Sequence, residues 1–369
     1  MTDTARTDLT LTGLFGQGTQ VIEGKQTGGF AVQARSVYDI NAVSRVFGEA
    51  SYRWEDSKQT RFVDNADYRL TAPYLTVDTI GGDLRRETYA FYGGYRMRKN
   101  HIVWHAALQF RAEQSYRMRD PRPKNKVTDL RIEASIGYQW QRYALSLSAY
   151  GGRYKQNNEI YFYSELGETT IYHMANDTEP YARFSNSNKI SYYSGYRGGV
   201  GVQVLPTTGF IAGVQYDWFT FTKTLSIVTQ VPITALTTHT LSAQFGYIGS
   251  CWRVWGTAGL EMKRGRQYLY GDHANNYYQL LLIASNYRRN NLFAHLYADY
   301  SLALPVGKMV FVASADYDRF MQHFREAVQV QYMIPIKGKY AWLIAPKAYL
   351  HQYDHAHAWQ VVLETGLTF

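Results

Sequence analysis

The stretch Trp359–Phe369, WQVVLETGLTF, decides the fold. Every second residue is apolar or nearly so, with an aromatic residue at each end: Trp359, Val361, Leu363, Thr365, Leu367 and Phe369. The residues between them are mostly polar. Successive side chains of a strand point to opposite faces, so one face of this stretch is apolar and the other suits water. About ten residues let a tilted strand cross a bilayer, so the stretch predicts a transmembrane β-strand.

The composition of the whole chain favours a barrel built from such strands. The 369 residues include 33 Tyr, 17 Phe and 8 Trp, yet the mean hydropathy is −0.37. In a membrane barrel half of each strand faces water, which reconciles many aromatic residues with low hydropathy. No apolar run approaches the roughly 18 residues of a transmembrane helix. A soluble all-β protein is the alternative, but the sequence shows no repeat of about 20–50 residues.

Charge and cysteine content limit the function classes. The formal net charge is +9, but the Lys and Arg residues are scattered, which indicates a solvated surface and not a nucleic-acid site. Cys251 is the single cysteine, so neither an intrachain disulfide nor a cysteine-based metal site is expected. The polar start of the chain is not a secretory signal, so we expect a leader upstream of Met1.

Period-two stretches bounded by turn residues predict an all-β, closed antiparallel barrel. The predicted strands are Thr7–Phe15, Gly28–Asp39, Val43–Ser57, Leu84–Arg98, His101–Met118, Val127–Trp140, Tyr143–Lys155, Lys189–Leu205, Thr208–Lys223, His239–Gly249, Trp252–Gln267, Asn291–Leu304, Lys308–Phe320, His323–Pro335, Tyr340–Tyr353 and Ala356–Phe369. This gives 16 strands; 14 remain an alternative if the first strand and one partner lie outside the wall. A closed barrel cannot be divided, so we expect one domain over residues 1–369, with a flexible start at residues 1–6 and a barrel over 7–369.

The connections alternate between short and long, as expected when long loops are extracellular and short turns periplasmic. We assign Tyr268–Asn290 to an extracellular loop, because a strand at Tyr277–Ala284 would break this alternation. Two prolines in Arg119–Lys126 are expected to end strand pairing. The longest connection, Gln156–Asn188, is long enough to fold into the lumen and narrow it.

Charged residues at inward positions are nearly matched in sign. The basic ones are Arg45, Arg53, Arg96, Arg111, Arg131, Arg253, Lys263, Arg325 and Lys347. The acidic ones are Glu49, Glu113, Glu133, Asp217, Glu261, Asp299, Asp316, Asp318 and Glu364. Two readings are open: a transverse field that orients polar solutes in a pore, or a salt-bridge lattice that braces the wall. Arg111 with Glu113 and Arg131 with Glu133 are candidate pairs, because residues two apart share a face.

Outward aromatic residues are expected at the membrane interfaces. The predicted aromatic belt is Trp54, Trp104, Trp140, Trp218, Trp359 and Phe369.

The sequence does not favour catalysis. His295 and Asp299 share a face but lie about 13 Å apart along a strand, too far for a catalytic pair. Asp316 and Asp318, with Asp299, form either a weak divalent-cation site or partners for lumen arginines. No nucleophile-elbow, zinc-protease or phosphate-loop motif is present. We therefore expect a non-enzyme without a cofactor.

Three histidines cluster near one extracellular turn: His351, His355 and His357. Imidazole groups bind transition metals, but the polar composition of the turn favours a solvated turn over a metal site. We predict no metal site.

Several motifs resemble those of a family of uncharacterised outer-membrane β-barrels of Bacteroidota, of the transport or porin type. The motifs are Pro73–Leu75, Asp78–Asp83, Glu87–Tyr89, Asp120–Asn125 and the terminal Phe369. The resemblance implies a bacterial outer-membrane location and contact with its lipid. The final aromatic residue is similar to the C-terminal signal of outer-membrane barrels, which implies recognition by the barrel-assembly machinery. No catalytic or binding residue is implied.

The sequence thus predicts a channel or transport-type pore for small polar solutes. The main alternative is a structural or receptor barrel of an envelope complex that binds a partner protein through its extracellular loops. A membrane hydrolase is a third hypothesis, with Asp316 and Asp318 as its acidic cluster. Whether Gln156–Asn188 and Tyr268–Asn290 leave the lumen open would discriminate between the first two.

Overall fold

The computed structural model describes residues 5–18, 22–164, 170–181, 190–226, 230–271, 279–319, 323–336, 340–353 and 356–368. The strands in chain order are β1 (Ala5–Gln17), β2 (Gln26–Asn41), β3 (Ser44–Thr60), β4 (Thr76–Val77), β5 (Gly82–Lys99), β6 (Ile102–Arg117), β7 (Arg122–Trp140), β8 (Tyr143–Tyr161), β9 (Tyr172–His173), β10 (Ile190–Pro206), β11 (Gly209–Ser226), β12 (Gln230–Ile248), β13 (Trp252–Tyr270), β14 (Leu280–Ala303), β15 (Lys308–Asp318), β16 (His323–Pro335), β17 (Ala341–Tyr353) and β18 (Ala356–Thr368). One helical turn, α1 (Tyr68–Thr71), lies between β3 and β4.

Sixteen of these strands form a closed antiparallel barrel, which confirms the predicted fold and strand number. β1 closes the barrel because it pairs with β2 on one side and with β18 on the other. The closing register runs from Asp8 opposite Thr368 to Gln17 opposite Trp359. β4 and β9 form a separate two-stranded sheet. No helix among the described residues is long and apolar enough to cross a membrane.

Side chains alternate between the two faces of the wall. On β7, Ile132 and Trp140 are 59% and 64% exposed, and they lie on the outward apolar face. Arg131 and Glu133 lie on the opposite face, where Glu133 accepts a hydrogen bond from Tyr92 of β5 across the intervening β6. A bond that spans a neighbouring strand shows that this second face is the inside of the barrel.

The wall is higher on one side than on the other. β7, β8 and β10–β14 contain 17 to 24 residues each, whereas β15–β18 contain 11 to 13. The outward face of β7 turns polar above Leu130, at Thr128, Lys126 and Lys124. The upper parts of the long strands therefore stand above the apolar band.

The predicted aromatic belt lies on the outward face where it is described. Trp104 and Trp140 lie near the short turns, and both are exposed. Trp54 of β3 lies closer to the long-loop end of the barrel. It stacks on Phe30 of β2, with ring centroids 5.9 Å apart. Trp359 packs against Phe15 at the β18–β1 seam, and Trp218 is 37% exposed on β11. Phe369 lies outside the described residues.

The predicted strand bounds are wrong above the apolar band. β12 begins at Gln230, not at His239, and β14 begins at Leu280, not at Asn291. The loop assigned to Tyr268–Asn290 is therefore wrong at both ends, although 272–278 lie outside the described residues. Strand segments above lipid need no strict apolar alternation, and a register shift between Gly265 and Gln267 disturbs the pattern further.

The expected break at Arg119–Lys126 is also wrong. β7 starts at Arg122, and Pro123 pairs with Ile160 of β8. The last β6–β7 pair is Tyr116 with Lys124, so Pro123 has a neighbouring strand on one side only. The missing N–H of this proline therefore costs no bond to β6.

Candidate functional site

The connection between β3 and β5 folds into the lumen. Residues 61–81, called the plug from here on, contain α1 and β4. Gly81 has a φ of +70°, and a Cβ there would lie 2.0 Å from the carbonyl oxygen of Thr60, so only glycine fits. The Asp78 carboxylate accepts the Gly81 N–H and fixes this return to the wall.

A buried ion cluster fastens the plug to β6. Arg117 binds both Asp64, at 3.0 Å, and Asp78, and all three side chains are fully buried. Burial raises the pKa of Asp64 well above its usual value; the Arg117 charge opposes this shift only in part, and Asp78 adds to it. Burial also acts on Asp78, but the neighbouring Asp64 and Arg117 hold the pKa of Asp78 below its usual value. Of the two carboxyls beside this cation, Asp64 is therefore the weaker acid.

A second cluster lies lower on the same strand. Arg111 donates to both carboxylate oxygens of Asp67, the residue before α1, and to Glu113 at 2.9 Å. Tyr154 of β8 also donates to Asp67, at 3.0 Å. The plug carboxylate of Asp67 is thus bound by β6 and β8, the two strands that flank β7.

Lysine side chains bind the plug backbone from the far wall. Lys223 of β11 is fully buried and donates to the carbonyl oxygens of Tyr74 and Leu75, at 3.2 and 2.8 Å. Lys263 of β13 donates to the carbonyl oxygen of Arg69 at 3.2 Å. Because β6, β11 and β13 lie around the barrel, the plug spans the lumen.

Neutral contacts complete the docking. Asn125 and Asn158 both donate to the carbonyl oxygen of Asp64, and Tyr74 donates to Asn286 at 2.8 Å. The apolar residues of this interface form one buried cluster: Ala66, Tyr74, Val127, Tyr154, Tyr193, Phe219, Phe221, Leu236 and Tyr287. The plug is therefore held by hydrogen bonds and by apolar packing together.

Residues 170–181 lie beside the plug. β9 pairs with β4, and Met174 N–H donates to the carbonyl oxygen of Leu75. Tyr181 is buried and donates to the carbonyl oxygen of Tyr268 at 2.6 Å. The prediction that Gln156–Asn188 is a single loop is wrong, because its first residues continue β8 to Tyr161. Residues 165–169 and 182–189 lie outside the described part of the chain.

A cavity of about 610 Å³ separates the plug from the low side of the wall. It is lined by the β1–β2 connection at Gly18 and Glu23, by Thr27 and Ser57 on β2 and β3, and by the upper ends of β17 and β18. It continues beneath α1 to Arg197 on the facing wall. The cavity therefore links the long-loop end with the middle of the lumen.

The cavity is charged but balanced. Its four carboxylates and four guanidinium groups form four pairs: Glu23–Arg69, Glu55–Arg86, Asp67–Arg111 and Asp129–Arg197. Burial alone would raise the pKa of Glu23, but Arg69 and the Tyr68 hydroxyl lower it overall. The lining thus offers hydrogen-bond donors and acceptors, while the charges of its carboxylate and guanidinium groups cancel.

The strand register places every predicted lumen-lining side chain on the inward face. These are Arg45, Glu49, Arg53, Arg111, Glu113, Arg131, Glu133, Arg253, Glu261, Asp299, Asp316, Asp318, Arg325, Lys347 and Glu364. Both candidate pairs form, Arg111 with Glu113 at 2.9 Å and Arg131 with Glu133 at 3.3 Å. Of this set, Arg111 lines the cavity.

The three aspartates proposed as one patch have separate partners. Asp299 binds Arg253 at 2.8 Å, Asp316 binds Arg325, and Asp318 accepts a bond from Asn291 at 3.0 Å. His295 pairs with Asp316 at 2.6 Å, a cross-strand contact that spacing along one strand does not reveal.

The predicted histidine cluster is also divided. His351 hydrogen-bonds His323 of β16, with 3.2 Å between the ring nitrogens. His357 is exposed at the start of β18, and His355 lies outside the described residues. Within the described part of the chain, no group of three potential metal ligands comes together.

The plug was missed at the sequence level, where Lys58–Asp83 reads only as a long polar gap. A signal was available. Asp64, Asp67 and Asp78 lie within this gap, whereas Arg117 and Lys223 occupy inward strand positions with no acid two residues away on the same face. Pairing the surplus acids of a loop with the surplus cations of the wall would have suggested insertion.

The plug should dock less firmly as pH rises. Docking raises the pKa of Asp64, so the docked plug keeps the Asp64 proton at pH values at which the undocked plug has lost it. Docking therefore weakens as the pH rises above 3.8, the ordinary pKa of this carboxyl. Asp78, with a lowered pKa, has the opposite effect, but only below that value. We expect hydrogen exchange of plug amides, corrected for intrinsic rates, to accelerate as the pH rises from about 4 into the mildly acidic range. Asp64→Asn should remove this dependence; an unchanged pH profile in that variant would contradict the assignment.

The structure defines a class of protein: a closed antiparallel barrel whose lumen contains a segment, the plug, that connects two neighbouring wall strands. The chain belongs to a family of unknown function, DUF6850, whose model matches residues 2–368. No sequence among curated proteins matches it.

Several solved outer-membrane barrels are similar in architecture. The CymD monoaromatic hydrocarbon channel is 9% identical, with a TM-score of 0.45, over 100% of this chain and 88% of that chain. The Ralstonia pickettii toluene transporter TbuX is 12% identical, with a TM-score of 0.45, over 100% and 90%. BauA, the ferric preacinetobactin receptor from Acinetobacter baumannii, is 10% identical, with a TM-score of 0.41, over 100% and 80%. The similarity concerns the barrel fold alone.

Proposed function

We propose that this protein is a bacterial outer-membrane channel that admits small polar solutes past the plug. The observation that carries the proposal is the 610 Å³ cavity between the plug and the low wall, which reaches from the β1–β2 connection to Arg197. The outward apolar band and its aromatic belts support a bilayer around the barrel. The motif resemblance supports an origin in Bacteroidota.

The paired charges of the cavity favour uncharged or zwitterionic solutes. Each guanidinium group already has a carboxylate partner, so an ion of one sign gains little net attraction. A polar solute can exchange hydrogen bonds with both members of a pair and align in the field between them. Selection would then depend on size and hydrogen bonding.

A matched pair of substitutions tests this route. Thr27 lines the cavity, where its hydroxyl lies 3.2 Å from that of Ser57, whereas the neighbouring Gly28 faces outward with open space around it. We expect Thr27→Trp to lower single-channel conductance in planar bilayers and solute entry into liposomes severalfold, because the indole would fill part of the cavity. Gly28→Trp should leave both unchanged. Equal conductance in the two variants would refute the route through the cavity.

A structural or receptor barrel is the second candidate. The observation in its favour is the docking of the plug through fully buried side chains of Arg117, Asp64, Asp78 and Lys223, which closes the side of the lumen toward β6–β14. Its long-loop end would then bind an envelope protein. A wild-type barrel without measurable conductance would support this candidate and overturn the channel.

We further propose that the protein is not an enzyme. His295 pairs with Asp316, and no hydroxyl or thiol of a described residue hydrogen-bonds to that imidazole. A nucleophile needs such a base within reach. Lipid of the outer membrane and the barrel-assembly machinery, acting through the C-terminal strand, are the proposed partners; no nucleic acid is expected.

A further inference from the structure

Three arginines lie together on the outward surface of β13 and β14, at the upper edge of the apolar band. Arg264 and Arg266 alternate with Lys263 and Gly265, which face the plug. Arg288 follows Tyr287, which packs against Tyr74 of the plug. Alternation therefore directs all three arginines outward, and Arg266 and Arg288 are exposed.

These arginines have no acidic partner among the residues that the structure describes. Arg264 lies directly opposite Arg288, an arrangement of like charges that destabilises a sheet. Arg264 donates to the carbonyl oxygens of Lys263 and Arg289 and to the Asn290 side chain, at 2.8 to 3.2 Å, and all these acceptors are neutral. Within the described ranges, no carboxylate pairs with Arg264, Arg266 or Arg288.

The neighbouring strand supplies no acid either. On β12, Thr237 lies opposite Arg264, and Ala235 lies opposite Arg266. Three inward arginines differ in this respect: Arg111, Arg117 and Arg253 each bind a carboxylate. The outward cluster is therefore a site of unbalanced positive charge.

The height of the cluster matches a lipid headgroup. Arg264 follows Trp252, at the short-turn end of β13, by 12 positions, which is about 40 Å along the strand. With a tilt of about 40°, this corresponds to roughly 30 Å along the membrane normal, just above an apolar band of about 25 Å. Immediately below lie outward apolar residues of the same strands, Met262 and Leu260 on β13 and Leu292 on β14.

We propose that Arg264, Arg266 and Arg288 bind the phosphate group of a phosphorylated lipid in the leaflet on the long-loop side. Guanidinium groups bind phosphate oxygens through paired, charge-assisted hydrogen bonds. A phosphate between Arg264 and Arg288 also removes their mutual repulsion, because it offers each cation an anion. The proposal concerns how the barrel sits in its bilayer, and it does not require conduction.

The test compares three proteins in nanodiscs of neutral phosphatidylcholine. They are the wild type, the triple variant R264Q/R266Q/R288Q, and R142Q, which removes an exposed arginine from the short turn at the other end of the barrel. The probes are lipid A, dephosphorylated lipid A and inorganic phosphate, and bound lipid is counted by native mass spectrometry. Each membrane-proximal cation contributes about a five-fold change in affinity, so the triple variant should bind lipid A on the order of 100-fold more weakly. R142Q should bind like the wild type.

Three results would overturn the proposal. They are equal binding of lipid A by the wild type and the triple variant, equal binding of phosphorylated and dephosphorylated lipid A, and displacement of lipid A by inorganic phosphate at matched concentration. The last result would identify a site for free phosphate. Heat-modifiable gel mobility checks that each variant is folded. Should the triple variant fail this check, R288Q alone is used, with an expected loss of about five-fold.

Discussion

Replacement of residues 61–81 by a two-residue Asn-Gly turn should raise single-channel conductance by about an order of magnitude. The plug spans the lumen between β6, β11 and β13, so its removal leaves a 16-stranded wall with an aqueous interior. The wall should tolerate the change, because Thr60 and Gly82 are paired residues of β3 and β5. A type I′ turn connects such a pair without a change in strand register.

The deletion needs a control for folding, and one conductance result would contradict the prediction. Heat-modifiable mobility and circular dichroism show whether the shortened chain still forms a barrel. Conductance equal to that of the wild type, in a folded variant, would mean that the plug does not restrict the lumen. In that event the cavity beside the plug could not be the narrow part of the route either.

Arg117→Met should weaken docking of the plug by about 3–5 kcal/mol, the second large effect expected. The substitution leaves Asp64 and Asp78 buried without their cation. The wall strands keep their pairing, because Arg117 is the last residue of β6 and its side chain points inward. The expected consequence is local release of the plug and not loss of the barrel.

Limited proteolysis measures this release. Arg69 lies within the plug, and its backbone carbonyl is bound by Lys263 in the docked form, so trypsin should cut after it only when the plug leaves the wall. We expect rapid cleavage in Arg117→Met and slow cleavage in the wild type. The triple variant R117M/D64N/D78N removes the cation together with both acids and should recover most of the resistance. Similar cleavage rates in wild type and Arg117→Met would show that this cluster does not hold the plug.

The sequence predicts the membrane part of this fold well, because lipid imposes a simple rule on it. Residues such as Ile132, Ile136 and Trp140 must alternate with inward polar residues, and the closing pair of β1 and β18 follows from the need to satisfy every backbone group. Above the bilayer this rule no longer applies. β12 and β14 therefore extend by several residues that single-sequence alternation assigns to loops.

The candidate site was less predictable, because it depends on contacts between distant parts of the chain. Inward positions such as Arg111 and Glu113 follow from parity, but their partner Asp67 belongs to a connection without a regular pattern. The same holds for His295, whose partner Asp316 lies on the next strand. Periodicity gives the face of each residue; only tertiary structure gives its neighbour.

The unequal height of the wall determines from where a molecule can arrive. The long strands β7, β8 and β10–β14 extend above the apolar band on the side of the lumen that the plug fills. β15–β18 end lower, on the side where the cavity lies. Beside β17 and β18, a lower rim therefore borders the cavity. Changes at Gly18 or Gln360, which line the cavity near this rim, would alter the entrance without touching the ion clusters that hold the plug.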